Sequence, residues 1–205
     1  MGINKKDLKG TVVALKANFL IVEIEFSQAL FYINKETNPS ETVRLICTKR
    51  NKLSYNGYSI LVGDIVLVGE IDWVNYRGVI NSVKPRISIL KRPSIANFTD
   101  LFVVISLNDP LINLNQLSRF LVKAEYSSNN VNIILTKTDL RTEEIIEEYI
   151  WRLQSWGYNM FPVSIIYGHG FNQLLDKFRL VKLSVLCGPS GVGKSSLINY
   201  LVPGT

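Results

Sequence analysis

The 205-residue chain is poor in the residues that hold metals or form disulfides. It has two cysteines, Cys47 and Cys187, and a single histidine, His169. Neither cysteine has a partner at metal-ligand spacing. That argues against a zinc site built within these residues, and lone thiols suit a reducing compartment rather than a disulfide framework. No apolar run reaches the ~20 residues needed to cross a bilayer. The start, Met1-Gly2-Ile3-Asn4-Lys5-Lys6-Asp7, lacks the apolar stretch of a secretory signal. Internal repeats and low-complexity segments are also lacking. The expectation is a cytoplasmic protein free of membrane contact.

What is present is a core and a modest basic excess. Hydrophobic residues make up 47% of the chain, and the net charge is +6. Residues 1–90 hold 12 Lys/Arg against 8 Asp/Glu, and residues 91–205 hold 11 against 9, so the excess leans toward the first part. Such a balance is compatible with an anionic partner such as RNA and equally with a solvated surface.

The two parts differ in period. Thr11–Leu15, Phe19–Phe26, Val43–Thr48, Asp64–Val68 and Gly78–Val83 are short β-rich runs, and Gly57, Gly63, Gly69 and Gly78 punctuate the region. About five strands in about 80 residues predict a small barrel, an OB-fold or an SH3-like barrel, over residues 1–90. Lys84-Pro85-Arg86 through Lys91-Arg92-Pro93 reads as a basic linker kept out of regular structure by proline. Strands at Leu101–Leu107, Val131–Leu135, Asn159–Val163 and Leu183–Cys187 then alternate with helices at Leu111–Tyr126, Thr142–Trp156 and Phe171–Phe178. Thr142 is placed to cap its helix. This alternation predicts an α/β domain with a parallel sheet over residues 91–205.

Chemistry concentrates in the second part. Gly188-Pro189-Ser190-Gly191-Val192-Gly193-Lys194-Ser195 fits G-x-x-x-x-G-K-[ST] in full, between an apolar strand and a helix that begins with Ser196-Leu197-Ile198. The glycines let backbone N–H groups curl around an anion, Lys194 supplies charge to the β/γ-phosphates, and the Ser195 hydroxyl suits Mg²⁺. Upstream, Thr136-Lys137-Thr138-Asp139 fits the guanine-reading [NT]-K-x-D pattern. A carboxylate at Asp139 accepts from guanine N1 and N2, a pair of donors that adenine does not offer. Threonine at the first position, where asparagine is commoner, keeps a hydroxyl and loses the amide. After the next strand, Pro162-Val163-Ser164 stands where an S-A-K-like element would meet guanine O6, although Ile165 and Ile166 differ from Ala-Lys. The guanine reader precedes the phosphate loop, the reverse of the ordinary order, which indicates a circularly permuted GTPase. That order and Asp139 argue against an ATP-dependent kinase.

With Arg92-Pro93-Ser94-Ile95-Ala96-Asn97, Thr136–Leu140, Pro162–Ser164 and Gly188–Asn199 in this order, the chain resembles the circularly permuted ribosome-biogenesis GTPases of the RsgA (YjeQ) family. The resemblance implies an OB-fold barrel followed by a permuted, incomplete α/β P-loop GTPase domain, with GTP or GDP and Mg²⁺ as ligands. It implies a monomeric protein of the bacterial cytoplasm or its organellar equivalent, with the small ribosomal subunit and its rRNA as partners, in late maturation of that subunit. Nucleotide contacts are implied at Thr136, Lys137, Thr138, Asp139, Ser164 and at Gly188, Pro189, Ser190, Gly191, Val192, Gly193, Lys194, Ser195 and Ser196, with Mg²⁺ at Ser195. The family's switch segments and zinc-binding residues follow beyond Thr205, so the chain reads as truncated, without an assignable catalytic residue and with zinc expected only in that later segment. Four of the family's six sheet strands are then present, and the phosphate-loop strand is expected at an edge. The resemblance also implies nucleotide binding with little or no GTP hydrolysis by these 205 residues. His169 precedes the phosphate loop and reads as an exposed loop residue. Trp73, Tyr76, Tyr55 and Tyr58 suit either packing or stacking on RNA bases, and no RNA-contact residue is assigned. The alternative function is an OB-type rRNA- or ribosome-binding module whose G domain does not hydrolyse GTP.

Overall fold

The computed structural model describes residues 7–25, 27, 42–50, 59–91, 93–111, 113–127 and 130–202. They form two compact units, residues 1–97 and 98–205. Tyr55, Tyr58, Arg92 and the chain end at Pro203-Gly204-Thr205 lie outside the described residues.

The first unit is a closed five-stranded barrel. Its strands are β1 (Leu8–Leu15), β2 (Leu20–Glu25), β3 (Thr42–Lys49), β4 (Ile65–Asp72) and β5 (Arg77–Val83). They close in the order β1-β2-β3-β5-β4, with β4 returning to β1. All pairs are antiparallel except β3 with β5, where Ile46 faces Arg77 and Lys49 faces Ile80. This closure in OB-fold order decides between the two barrel types left open by pattern alone. Period-two alternation turns Val22, Ile24, Leu45, Cys47, Val66 and Val68 fully inward. Burial among them pushes the Cys47 thiol up to about 12. Trp73 packs partly buried against this core, whereas Tyr76 is exposed in the β4–β5 turn. The Asp72 carboxylate organises that turn by accepting from Val74 N, Asn75 N and Asn75 Nδ2. The Asn75 side-chain bond is the chief reason this carboxyl sits below its ordinary range.

The stretch read as an irregular basic linker contains a hairpin. β6 (Ile89–Lys91) pairs antiparallel with β7 (Ser94–Ala96), and Pro93 falls in the turn between them. A proline there removes no ladder hydrogen bond, so it does not forbid the pairing. Arg86 meets the fully buried Asp64 through two bonds, Nε to Oδ1 at 2.7 Å and Nη2 to Oδ2 at 2.8 Å. Asn97, at positive φ, accepts from Ile87 N and donates to the Gly63 carbonyl, which ties residues 84–97 to the barrel.

In the second unit, β8 (Asp100–Ser106), β9 (Val131–Thr136), β10 (Asn159–Pro162) and β11 (Ser184–Cys187) form a parallel sheet in the order β10-β9-β8-β11. Helices α1 (Leu114–Ser127), α2 (Glu143–Ser155), α3 (Phe171–Arg179) and α4 (Lys194–Leu201) connect and follow the strands. Every residue of β8 is buried, which explains its unbroken apolar run. Phe102 and Val104 pack with Phe171, Leu174 and Leu197 on one face. At the strand starts Asn132 donates to Asp100, Asn159 donates to Asn132, and Lys177 completes the row 2.9 Å from Asp100.

Two helix starts differ from expectation. Helix α1 begins at Leu114 rather than Leu111 because the Asn113 carbonyl oxygen Oδ1 caps the backbone N–H groups of Asn115 and Gln116. Thr142 holds the N-cap position of α2 but makes no side-chain cap bond. The acidic Glu143 and Glu144 in the first turn are left to complement the helix dipole.

Candidate functional site

The chain winds from β8 to β9 to β10 in one direction and then returns to place β11 on the other side of β8. In open parallel sheets that reversal leaves a crevice at the carboxyl ends of the strands. Each sequence motif falls there. The phosphate loop follows β11, Lys137-Thr138-Asp139 follows β9, and Ser164 follows β10. As expected, β11 is an edge strand among the described residues.

The phosphate loop depends on glycine for two reasons. At Gly188 φ is 146°, and a Cβ there would lie 2.2 Å from the Val104 carbonyl oxygen. At Gly193 φ is 92°, the left-handed turn that starts α4. Pro189, Ser190 and Gly191 stand exposed, whereas Val192 is buried in the core and anchors the loop. The Lys194 ammonium donates to the carbonyls of Gly188 at 3.0 Å and Pro189 at 2.5 Å, which holds it across the mouth of the loop. Ser195 and Ser196 occupy the exposed first turn of α4. These residues suit a polyphosphate: positive-φ glycines, a lysine aimed at the loop and a helix N-terminus. By its hydroxyl chemistry Ser195 could hold Mg²⁺. No group of three or more His, Cys, Asp or Glu that could hold a metal occurs among the described residues. Just before the loop, burial lifts the Cys187 thiol to about 11, with Lys194 pulling the other way.

Thr136, which stands where asparagine is commoner, is fully buried at the end of β9. Its hydroxyl lies 2.6 Å from the Val192 carbonyl and 3.0 Å from that of Ile105. The one proton can serve the phosphate loop while the oxygen stays over β8, so the hydroxyl adds a polar tie between strand and loop to the packing of Ile134 and Val192 in one core cluster. Lys137 adopts a left-handed backbone, and its ammonium donates to Asp109 O at 2.5 Å. Thr138 and Asp139 lie in a short 3₁₀ turn, Thr138–Leu140, that the pattern did not show.

Asp139 is oriented by Ser164. The buried Ser164 hydroxyl donates to Asp139 Oδ1 at 2.6 Å, leaving the rest of the carboxylate for other donors. Ser164 and His169 exchange two backbone hydrogen bonds, which closes residues 164–169 into a tight loop. His169 is exposed on that loop, and Tyr167 stacks on its ring.

Sequence reasoning missed the supports of the reader. Arg141 reaches the Leu107 carbonyl and Asn108 Oδ1, both at 3.3 Å, so with Lys137 it holds the loop after β8. Nothing in the spacing of these residues announces the contact, because it joins positions more than 30 apart in the chain.

Comparison with known proteins agrees with the fold. The RsgA GTPase family profile matches residues 83–205. The small ribosomal subunit biogenesis GTPase RsgA of Prochlorococcus marinus (strain SARG) is 51% identical over 98% of this chain and 65% of its own length. The protein of the same name from Synechococcus sp. (strain CC9311) is 45% identical over 95% of this chain and 60% of its own length. The chain thus spans less than two thirds of the length of these curated relatives. The crystal structure of YjeQ from Thermotoga maritima superposes with a TM-score of 0.80 at 28% identity, over 97% of this chain and 66% of that one. YloQ, described as a circularly permuted GTPase, gives 0.74 at 26% identity over 99% and 67%. With the family profile covering more than half of its residues, this chain belongs to the RsgA GTPase family.

Proposed function

We propose that residues 98–205 bind GDP and GTP in the crevice between the phosphate loop and Asp139. In this reading the chain is the barrel and GTPase portion of a cytoplasmic protein that hydrolyses GTP during late maturation of the small ribosomal subunit. The Thr136 hydroxyl bond to Val192 O carries the reading, because it joins a base-reading turn and a phosphate loop into one site. Asp139, oriented by Ser164, accepts from guanine. Gly188–Ser196 wrap the phosphates, and Lys194 turns from the loop carbonyls to the β/γ-phosphates. Bound Mg²⁺, held at Ser195, would neutralise charge on those phosphates. The barrel, with its basic excess and OB order, is assigned to the ribosome and its rRNA, in keeping with the names of the relatives.

Nucleotide titration by calorimetry tests this. The chain is expected to bind GDP in preference to ADP, and Asp139→Asn is expected to shift preference toward xanthosine diphosphate. Equal GDP and ADP affinities would refute the guanine assignment. A GTPase assay with small ribosomal subunits, on this chain and on a version carrying the relatives' further length, tests the maturation role. Lack of subunit-stimulated turnover in the longer version would refute it.

A further inference from the structure

The helix that carries the phosphate-binding residues also reaches the loop that aims Asp139. Lys194 and Ser195 stand in the first turn of α4, and Tyr200 stands in its last turn. The Tyr200 ring lies on that of Phe171, centroids 4.0 Å apart and planes 30° apart. Phe171 opens α3 and is buried in the core, so it fixes where the Tyr200 ring can go. Beyond the ring, the Tyr200 hydroxyl oxygen lies 3.0 Å from where a Cβ on Gly168 would be. That places the oxygen against the backbone of the 164–169 loop.

The two ends of this loop are held locally. Ser164 N donates to His169 O at 3.1 Å, and His169 N to Ser164 O at 3.2 Å. Just beyond, Gly170 is pressed on the end of β10, where a Cβ would lie 1.9 Å from the Pro162 carbonyl oxygen. Between the ends, Ile165 packs against the core, whereas Ile166 and Tyr167 are exposed. The Tyr167 N–H donates to Ser164 Oγ at 3.3 Å, and the proton of that oxygen goes to Asp139 Oδ1 at 2.6 Å. Gly168 is the next residue along, so a shift there moves the Tyr167 amide, turns the Ser164 hydroxyl and loosens Asp139. We infer that Tyr200 is a positioning residue for base recognition: set between Phe171 and Gly168, it lets the phosphate-loop helix hold the loop that aims Asp139. It acts through Gly168, the Tyr167 amide and Ser164 rather than by touching the nucleotide. The inference rests on the proposed guanine-nucleotide site and names the residue that keeps its base reader aligned with its phosphate loop.

Guanine offers Asp139 two donors, N1–H and N2–H, and hypoxanthine offers only the first. A well-aimed carboxylate therefore favours GDP over inosine diphosphate, and a loosened one favours it less. GDP, inosine diphosphate and pyrophosphate are titrated by calorimetry against the unmodified chain and Tyr200→Leu, with thermal melts to confirm folding. Tyr200→Leu is expected to shrink the preference for GDP over inosine diphosphate by about two- to tenfold, the worth of one hydrogen bond. Pyrophosphate affinity is expected to stay unchanged. An unchanged preference in a folded Tyr200→Leu overturns the inference. So does a pyrophosphate loss as large as the GDP loss, because it places the effect in the phosphate loop. A double-mutant cycle tests the contact itself, and it decides the matter if Tyr200→Leu does not fold. Gly168→Ala sets a methyl 3.0 Å from the hydroxyl and should lower the preference. Adding Tyr200→Phe, which keeps the ring on Phe171 and removes the hydroxyl, should recover part of it. Strictly additive effects would mean that the two residues do not interact, and would overturn the inference. If the unmodified chain binds pyrophosphate but not GDP, the proposed base site itself falls, and the role of Tyr200 with it.

Discussion

Replacing Thr136 by valine is the sharpest test of how the two halves of the site are joined. Valine has nearly the same shape, and position 136 is fully buried, so the change removes little but the hydroxyl. That hydroxyl donates to the Val192 carbonyl at 2.6 Å and lies 3.0 Å from the Ile105 carbonyl. The net worth of such a bond is about 0.5–1.5 kcal/mol, and a buried carbonyl left without its donor costs about 1–3 kcal/mol. The expected loss for the second unit is therefore about 1–2 kcal/mol. Urea unfolding reads it through Trp151 and Trp156, which belong to α2 and its C-cap. The phosphate loop loses its tether at the same time, so GDP affinity is expected to fall while guanosine affinity stays near that of the unmodified chain. Thr136→Ser keeps the proton donor and should restore most of both. Unchanged stability and GDP affinity in Thr136→Val would show that the hydroxyl does not couple the reader to the loop.

Further outcomes follow from the same geometry. Lys194→Ala removes the charge held over the loop mouth, and GDP binding should weaken by roughly 1.5–3 kcal/mol; calorimetry with unchanged affinity would move the phosphate site elsewhere. Gly188→Ala sets a Cβ 2.2 Å from Val104 O at a positive φ. It should cost more than about 2 kcal/mol in urea unfolding and abolish GDP binding, whereas tolerance would mean that the loop is free to move. The Cys187 thiol, raised to about 11 by burial, stays protonated at neutral pH. Its alkylation by iodoacetamide should be slow near pH 8 and accelerate toward pH 11. Because its folded value is raised, the stability it contributes is complete below the unfolded value of about 8.5 and is lost as pH rises toward about 11. Fast alkylation near neutrality would contradict this burial.

The strand and helix sequence of both units was legible because period-two and period-3.6 patterns are local. Misses arose where a side chain made the decision. Asn113 moved the start of α1, and the short β6–β7 pairing took residues that proline and basic charge had marked as irregular. The phosphate loop was legible because its function demands glycine at fixed positions, and the structure shows the reason at Gly188.

By itself the sequence determined the two periods, the order of motifs and the residue types each motif needs, all of which are properties of neighbours along the chain. Only the tertiary structure decided that the barrel closes through a parallel β3–β5 pair and that the Thr136 hydroxyl meets the Val192 carbonyl of the phosphate loop. It alone showed Ser164 aiming Asp139, and Lys137 and Arg141 bracing the loop after β8. Each of these is a contact between residues about 25 to 56 positions apart. Such contacts follow from the register of strands and the side of the sheet to which the chain returns, and no local pattern encodes them.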